Sequence, residues 1–421
     1  MIKKLVNSFI SLIFVLYANN ISSEDLIPAE FFACYSNSNS MEMSPDGKYI
    51  AIVSQPRAPK CDIEPDLQKY VEDDSRGGRL TLYNTSNGQA TTLTSGKGNS
   101  SVSGVSWVSN DRIIFNTSPT NSSAKSIDAY ALWGMNIDGS KKKKLFTLKQ
   151  VQGTFASPRL TSLLPDEPNY VMVAINDRRG SVEDYYRLNI FTGAKRRVAM
   201  GPDIDNEEAL FDVVEKNDGT PLAAIGNLGD EWRIWRYYDS EDTWDVHFTS
   251  KCQTPTFFPL SGYEDKWLVS GQDITKSKTF NKDNDKSKLF LYDPDDRSFE
   301  LLYEDDTYDV GGPTGGCRTA IGGASIDEKT NELIYVAYYG EKPVRIFFDE
   351  DVQATNDMLE GAFPDQIVRP ITWNKDRSKV VVSVSSSNNP GEYYYFDKEN
   401  MILTFLWDRS PWLDRSKLSK M

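Results

Sequence analysis

The chain has 421 residues, 39% of them hydrophobic and 12% aromatic, which is enough apolar and β-favouring material for a sizeable core and excludes disorder as its default state. Its net charge of -14 and pI near 4.8 exclude a nucleic-acid partner, because binding a polyanion needs clustered Lys and Arg to displace phosphate counterions. Length alone leaves the domain count open, since propellers of several hundred residues fold as one unit.

The N-terminus carries Lys3 and Lys4, an apolar run from Leu5 to Tyr17 and a polar stretch from Ala18 to Ser23. That is the layout of a secretory signal peptide, with an apolar part shorter than the roughly 20 residues of a membrane span. Residues 1–23 are therefore expected to direct the chain out of the cytoplasm, with cleavage after Ala18 or near Ser22 or Ser23, into a secreted or periplasmic location without a membrane span. An uncleaved anchor is the alternative. Four cysteines, Cys34, Cys61, Cys252 and Cys317, are an even number in such a chain and allow two disulfides. Cys34 with Cys61 and Cys252 with Cys317 is the simplest of three pairings, and four buried free thiols stand beside it on equal terms. None lies in a CxxC pair, so zinc has no support.

Leu26 to Phe32 predicts a short helix, with Pro28 suited to a first turn and Glu30 to its positive end; residues 24–40 make up this helix and a linker. From 41 to 409 the grammar is uniform. Strand-like runs recur at intervals of about fifty residues, separated by Asp, Asn, Gly and Pro turns. The first unit reads MEMSPDGKYIAIVSQ then RLTLYNTSNGQATTLT, and the second VSGVSWVSNDRIIFNTS then AYALWGMNIDGSKKKKLF. Third comes RLTSLLPDEPNYVMVAIND with YYRLNIFTGAKRRVA, and fourth ALFDVVEKNDGTPLAAIGN with EWRIWRYYDSEDTWDVHFT. The fifth is FFPLSGYEDKWLVSGQD with KLFLYDPDDRSFELLYE, the sixth IGGASIDEKTNELIYVAYYG with PVRIFFDEDVQ, and the seventh IVRPITWNKDRSKVVVSVSS with GEYYYFDKENMILTFLW. Each unit is a four-stranded blade, so the prediction is an all-β, seven-bladed propeller. A β-sandwich also turns every 8 to 12 residues, but is not expected to repeat one cassette seven times. The sixth unit is the weakest, because Ala354 to Pro364 looks helical and interrupts its closing strand.

Several stretches carry a family resemblance: IPAEFF at Ile27, MSPDGKYIAIVSQP at Met43, GVSWVSNDRIIF at Gly104, LLPDEPNYVMVAINDR at Leu163, YRLNIFTGAKRRVA at Tyr186 and NPGEYYYFD at Asn389. In order they resemble the propeller region of the secreted prolyl oligopeptidases, in the bacterial dipeptidyl-aminopeptidase and acylaminoacyl-peptidase-like branch. The SPDGK turn alone also marks TolB-like periplasmic propellers. The resemblance implies a propeller that covers a serine-peptidase active site and admits short or flexible peptides. It also implies an α/β-hydrolase domain with a nucleophile elbow G-x-S-x-G and a downstream Asp and His. This sequence has no G-x-S-x-G; the nearest contexts, GVSWV around Ser106 and GASID around Ser325, lack the second glycine. Its one histidine, His247, lies in TWDVHFTS on an expected outer strand of blade four, where a packing or solvent-facing role is expected in place of proton shuttling. Residues 410–421 resemble the start of the linker to a hydrolase domain absent from the chain.

Other chemistry finds little footing. Asn281 to Asp285 lacks the Gly and Glu of a calcium loop, and Gly311 to Cys317 is not followed by the Lys and helix of a phosphate cradle. The Lys141 to Lys144 run reads as a solvated strand start. No catalytic, cofactor or metal residue is expected, and no cofactor. The expected partner is a peptide or protein in the propeller funnel, together with a separately encoded hydrolase domain. The alternative is a stand-alone periplasmic TolB-like propeller that binds a peptide or protein.

Overall fold

The computed structural model describes residues 27, 31–32, 38–54, 78–96, 100–119, 130–147, 149–151, 154–156, 158–179, 182–202, 208–251, 254–263, 265–277, 279, 285–311, 323–327, 330 and 332–419. The four cysteines and the signal-peptide region lie outside these residues, as do most of the expected N-terminal helix and most of the Asn281–Asp285 and Gly311–Cys317 loops.

Seven antiparallel sheets follow one another along the chain. Blade one spans residues 38–95, blade two 100–147, blade three 158–199, blade four 208–251, blade five 257–303, blade six 323–347 and blade seven 367–408. In each blade the strands pair in sequence order, so every blade is a meander built from its own stretch of chain. A small hairpin of Lys149–Val151 with Thr154–Ala156 lies between blades two and three. Six blades have four strands. Blade six has three, and the helix Glu350–Ala362 follows where a closing strand would stand. Asp349 caps that helix by accepting from the backbone N–H of Asp351 and Val352, with Glu350 and Asp351 in the positive first turn.

First strands touch between blades one and two, four and five, five and six, and seven and one, so first strands line the axis and the last of these contacts closes the ring. Burial follows from this arrangement. Second strands such as Tyr170–Arg179 and Lys379–Ser386 carry Val171, Val173, Ile175, Val380, Val381 and Val382 at 0% exposure, because both their faces meet other blades. Fourth strands such as Lys195–Ala199 and Ser298–Tyr303 are mostly exposed or half-buried. The core consists of apolar clusters between adjacent blades, for example Met41, Met43 and Ile50 with Val381 and Tyr393 where blade seven meets blade one.

Turn chemistry explains the meander. In blade one Ser44 Oγ donates to Asp46 Oδ1 at 2.8 Å, Lys48 N donates to the same oxygen at 3.1 Å, and Gly47 takes φ +69°. Blade seven repeats the device with Asp376, which accepts from Ser378 N at 3.0 Å. Such short acidic side chains satisfy the backbone of a tight turn where no strand partner exists.

Candidate functional site

His247 lies in the outer strand of blade four, Thr243–Lys251. Its Nε2 is 2.7 Å from the hydroxyl of Tyr292 and its ring packs 5.2 Å from that of Trp267, both in blade five; only 8% of the residue is exposed. Burial is the main reason its pKa falls to about 4, helped by the nearby Arg297 and Arg236, so the ring is neutral at physiological pH.

The pairing register explains why a histidine can sit there. Each fourth strand carries a bulge against the third, and the extra residue is Leu93 in blade one, Leu145 in two, Val198 in three, His247 in four, Leu302 in five and Leu406 in seven. Leu93, Leu145, Leu302 and Leu406 each join the apolar cluster shared with the next blade. His247 therefore stands where the repeat places an aliphatic residue. Its partner is a tyrosine, and no serine takes part: Ser106 lies on the first strand of blade two and donates to Glu42 Oε1 at 3.2 Å, while Ser325 lies on the first strand of blade six. The geometry brings none of the three together.

The features that do converge lie at one end of the axis, where the first hairpin of each blade turns. Thr161 Oγ1 of blade three donates to Gly219 O in the turn of blade four at 3.0 Å. Asn217 Nδ2 in that turn donates to Asp327 O in the turn of blade six at 3.2 Å. The Asp327 carboxylate meets Arg377 of blade seven, which also holds Asp349 ahead of the helix. Lys375 N of blade seven donates to Pro45 O in the turn of blade one at 2.9 Å. This chain of contacts runs from blade three to blade one and passes over blade five.

At the bypassed position a cleft of ≈ 560 Å³ opens between blades four and five. It is lined by turn residues of both blades, among them Lys216, Arg236, Tyr238, Asp265, Lys266 and Trp267. Its cations are held by carboxylates: Lys216 meets Asp239, Arg236 Nη1 is 2.6 Å from Asp295, and Lys266 Nζ is 2.8 Å from Glu300. The cleft thus carries charges of both signs beside the rings of Tyr238 and Trp267.

A second charged group sits at the seam of blades three and four, with Arg159 and Glu215 on first strands and Glu183 and Tyr185 on the third strand of blade three. Arg159 Nη2 is 2.6 Å from Glu215 Oε1 and 2.7 Å from Glu183 Oε2, and the Tyr185 hydroxyl donates to Glu215 at 3.2 Å. Burial opposes the Arg159 charge, yet Glu215 and Glu183 outweigh it and raise its pKa. Burial raises the pKa of Glu215 against the pull of Arg159, and it raises that of Asp212 nearby. The group ties two blades and leaves net negative charge near the axis. Among the described residues no cluster of three or more His, Cys, Asp or Glu could hold a metal ion, and no helix is long and apolar enough to cross a membrane.

No family model and no curated protein matches the chain. Solved structures with a similar fold include a prolyl endopeptidase, at 13% identity over 89% of this chain and TM-score 0.48. This chain spans 50% of that protein's length. The β-propeller domain of the trilobed protease from Pyrococcus furiosus is similar at 11% identity over 89% of this chain and 96% of that one, TM-score 0.44. An oligogalacturonate lyase in complex with manganese is similar at 12% identity over 76% of this chain and 79% of that one, TM-score 0.41. At these identities and scores the likenesses carry no argument about chemistry.

Proposed function

We propose that this chain is the non-catalytic propeller of a secreted prolyl-oligopeptidase-like serine peptidase, gating and selecting the peptides that reach its hydrolase domain. The observation that carries the reading is the arrangement at the turn end of the axis, where contacts join blades three, four, six, seven and one, and a cleft opens beside the bypassed blade five. In this reading the joined turns restrict access along the axis, and the cleft offers the peptide a binding place beside it. These residues cleave no bond in this account, because His247 is spent on packing against Tyr292 and pairs with neither Ser106 nor Ser325. The ordered motifs of the sequence support the family assignment, and the apolar run after Lys3 and Lys4 supports a secreted location.

The test is capture of the tagged chain from its native source, followed by serine-directed fluorophosphonate labelling of whatever co-purifies. A labelled hydrolase held in stoichiometric amount supports the proposal. A stable partner that takes no label favours a stand-alone periplasmic propeller of the TolB-like kind, a reading that the cleft, complete within this chain, also supports.

A further inference from the structure

The run from Lys141 to Lys144 is isolated in the sequence, but the fold places further cations beside it. It ends the turn and opens the last strand of the outer hairpin of blade two, Ala131–Asn136 with Lys143–Thr147. The outer hairpin of blade three, Val182–Asn189 with Lys195–Ala199, packs against this one. Its turn comes so close that a Cβ on Gly193 would lie 2.7 Å from Leu145 O. The Phe191 ring in that turn is 4.1 Å from the Arg112 guanidinium and 5.8 Å from Lys141 Nζ, both of blade two. Lys195, Arg196 and Arg197 therefore continue the basic run across the seam.

Few carboxylates answer this charge. Asp138 accepts from Ser140 N in its own turn at 2.8 Å, Asp177 holds Lys195, and Lys142 and Lys144 each lie over the Trp133 ring at 5.2 Å. Lys141, Lys143, Arg196 and Arg197 are exposed and have no ion pair among the described residues. Phe191 and Val198 lie among them, each 37% exposed. The corresponding hairpins of blades four, five and seven carry more carboxylates than cations. A chain of net charge -14 thus has one cationic sector on its rim, formed by blades two and three.

We propose that this sector docks on an anionic membrane surface, with the propeller resting on the outer hairpins of blades two and three. Cations spread along two neighbouring hairpins match a plane of lipid phosphates, and Phe191 and Val198 between them reach the acyl boundary. An acidic polypeptide offers the cations the same charge but no such boundary for the apolar pair. The carboxylates of the other blades oppose approach, and at physiological salt their field is screened beyond about 8 Å. Four cations contributing about a factor of five each give half-binding near about 1 mM lipid.

Co-sedimentation of the full mature chain with vesicles of about 30% phosphatidylglycerol in phosphatidylcholine tests this. The account expects saturable binding that is absent from pure phosphatidylcholine and lost in about 0.5 M salt. Lys141→Glu with Lys143→Glu, and separately Arg196→Glu with Arg197→Glu, should each weaken it at least about thirtyfold. Lys141→Gln with Lys143→Gln, which removes charge without reversing it, should weaken it at least about tenfold and decides the matter if a reversal lowers the urea midpoint. Lys251→Glu with Lys276→Glu, exposed lysines of blades four and five, makes the same change in net charge and should alter binding less than about twofold. No binding at about 5 mM lipid, equal binding to neutral vesicles, or an equal loss in the control pair overturns the proposal. So does a chain that holds polyglutamate through these cations and ignores vesicles, which would assign the sector to an acidic protein.

Discussion

The seam between blades four and five and the seam between blades seven and one solve the same packing problem with different materials. The first is rich in aromatic rings: Trp232, Phe257, Phe258, Trp267, Phe290 and Tyr292 share one cluster with aliphatic residues such as Ile225, Ile234 and Val269, and the Trp232 and Phe258 ring centres are 4.5 Å apart. The second has a smaller apolar cluster and adds directional bonds, Met43 N to Thr372 Oγ1 at 3.0 Å and Lys375 N to Pro45 O at 2.9 Å. The difference follows from connectivity. Blades four and five are consecutive along the chain, and the polar contacts between them, His247 with Tyr292 and Arg236 with Asp295, join side chains to side chains. Blades seven and one lie at opposite ends of the ring and share no strand, so backbone bonds must set their register.

The largest effect should come from the aromatic seam. Trp267 is 2% exposed, and Trp267→Ala should cost about 3–5 kcal/mol through the cavity it leaves, read as a fall in the urea midpoint. At the closing seam, Gly47 takes φ +69°, and a Cβ there would lie 2.6 Å from Lys379 Cδ and 3.2 Å from Asn374 Nδ2. The lysine can move aside but the backbone strain stays, so Gly47→Ala should cost about 1–2 kcal/mol in the same assay.

His247 gives the aromatic seam a pH dependence near neutrality. Its pKa is about 4 in the folded chain against 6.5 for an ordinary imidazole, so between those values the unfolded chain binds more protons. Stability is complete above pH 6.5 and falls as pH drops towards 4, by on the order of 1–2 kcal/mol once solvent screening is allowed for. His247→Leu, which restores the residue type of the other blades, should flatten that stretch of the stability curve. It should also cost about 1 kcal/mol at pH 7 by orphaning the Tyr292 hydroxyl, a loss that Tyr292→Phe recovers. The smallest effect expected is at Thr372, where Thr372→Val removes the acceptor of Met43 N and should cost about 1 kcal/mol.

Much of this architecture was legible in the sequence. Seven cassettes with Asp and Asn turns gave the blades in order, and the helical look of Ala354 to Pro364 foretold the helix that leaves blade six with three strands. His247 was placed on the right strand with packing as one of its roles. Its burial escaped an alternation argument because a bulge turns that residue inward. Aligning the fourth strands with one another would have exposed it as the substitute for Leu93, Leu145, Leu302 and Leu406. The turn-end contacts had no local signal at all. Asn217 and Asp327 are 110 residues apart, and only the closed ring brings their turns together.

The central claim is a propeller that gates chemistry without performing it. Incubating the purified chain with a fluorophosphonate at neutral pH tests that most directly. The account predicts no labelling above a heat-denatured control, because no serine lies beside the buried, neutral His247. Stoichiometric labelling of one serine would contradict it.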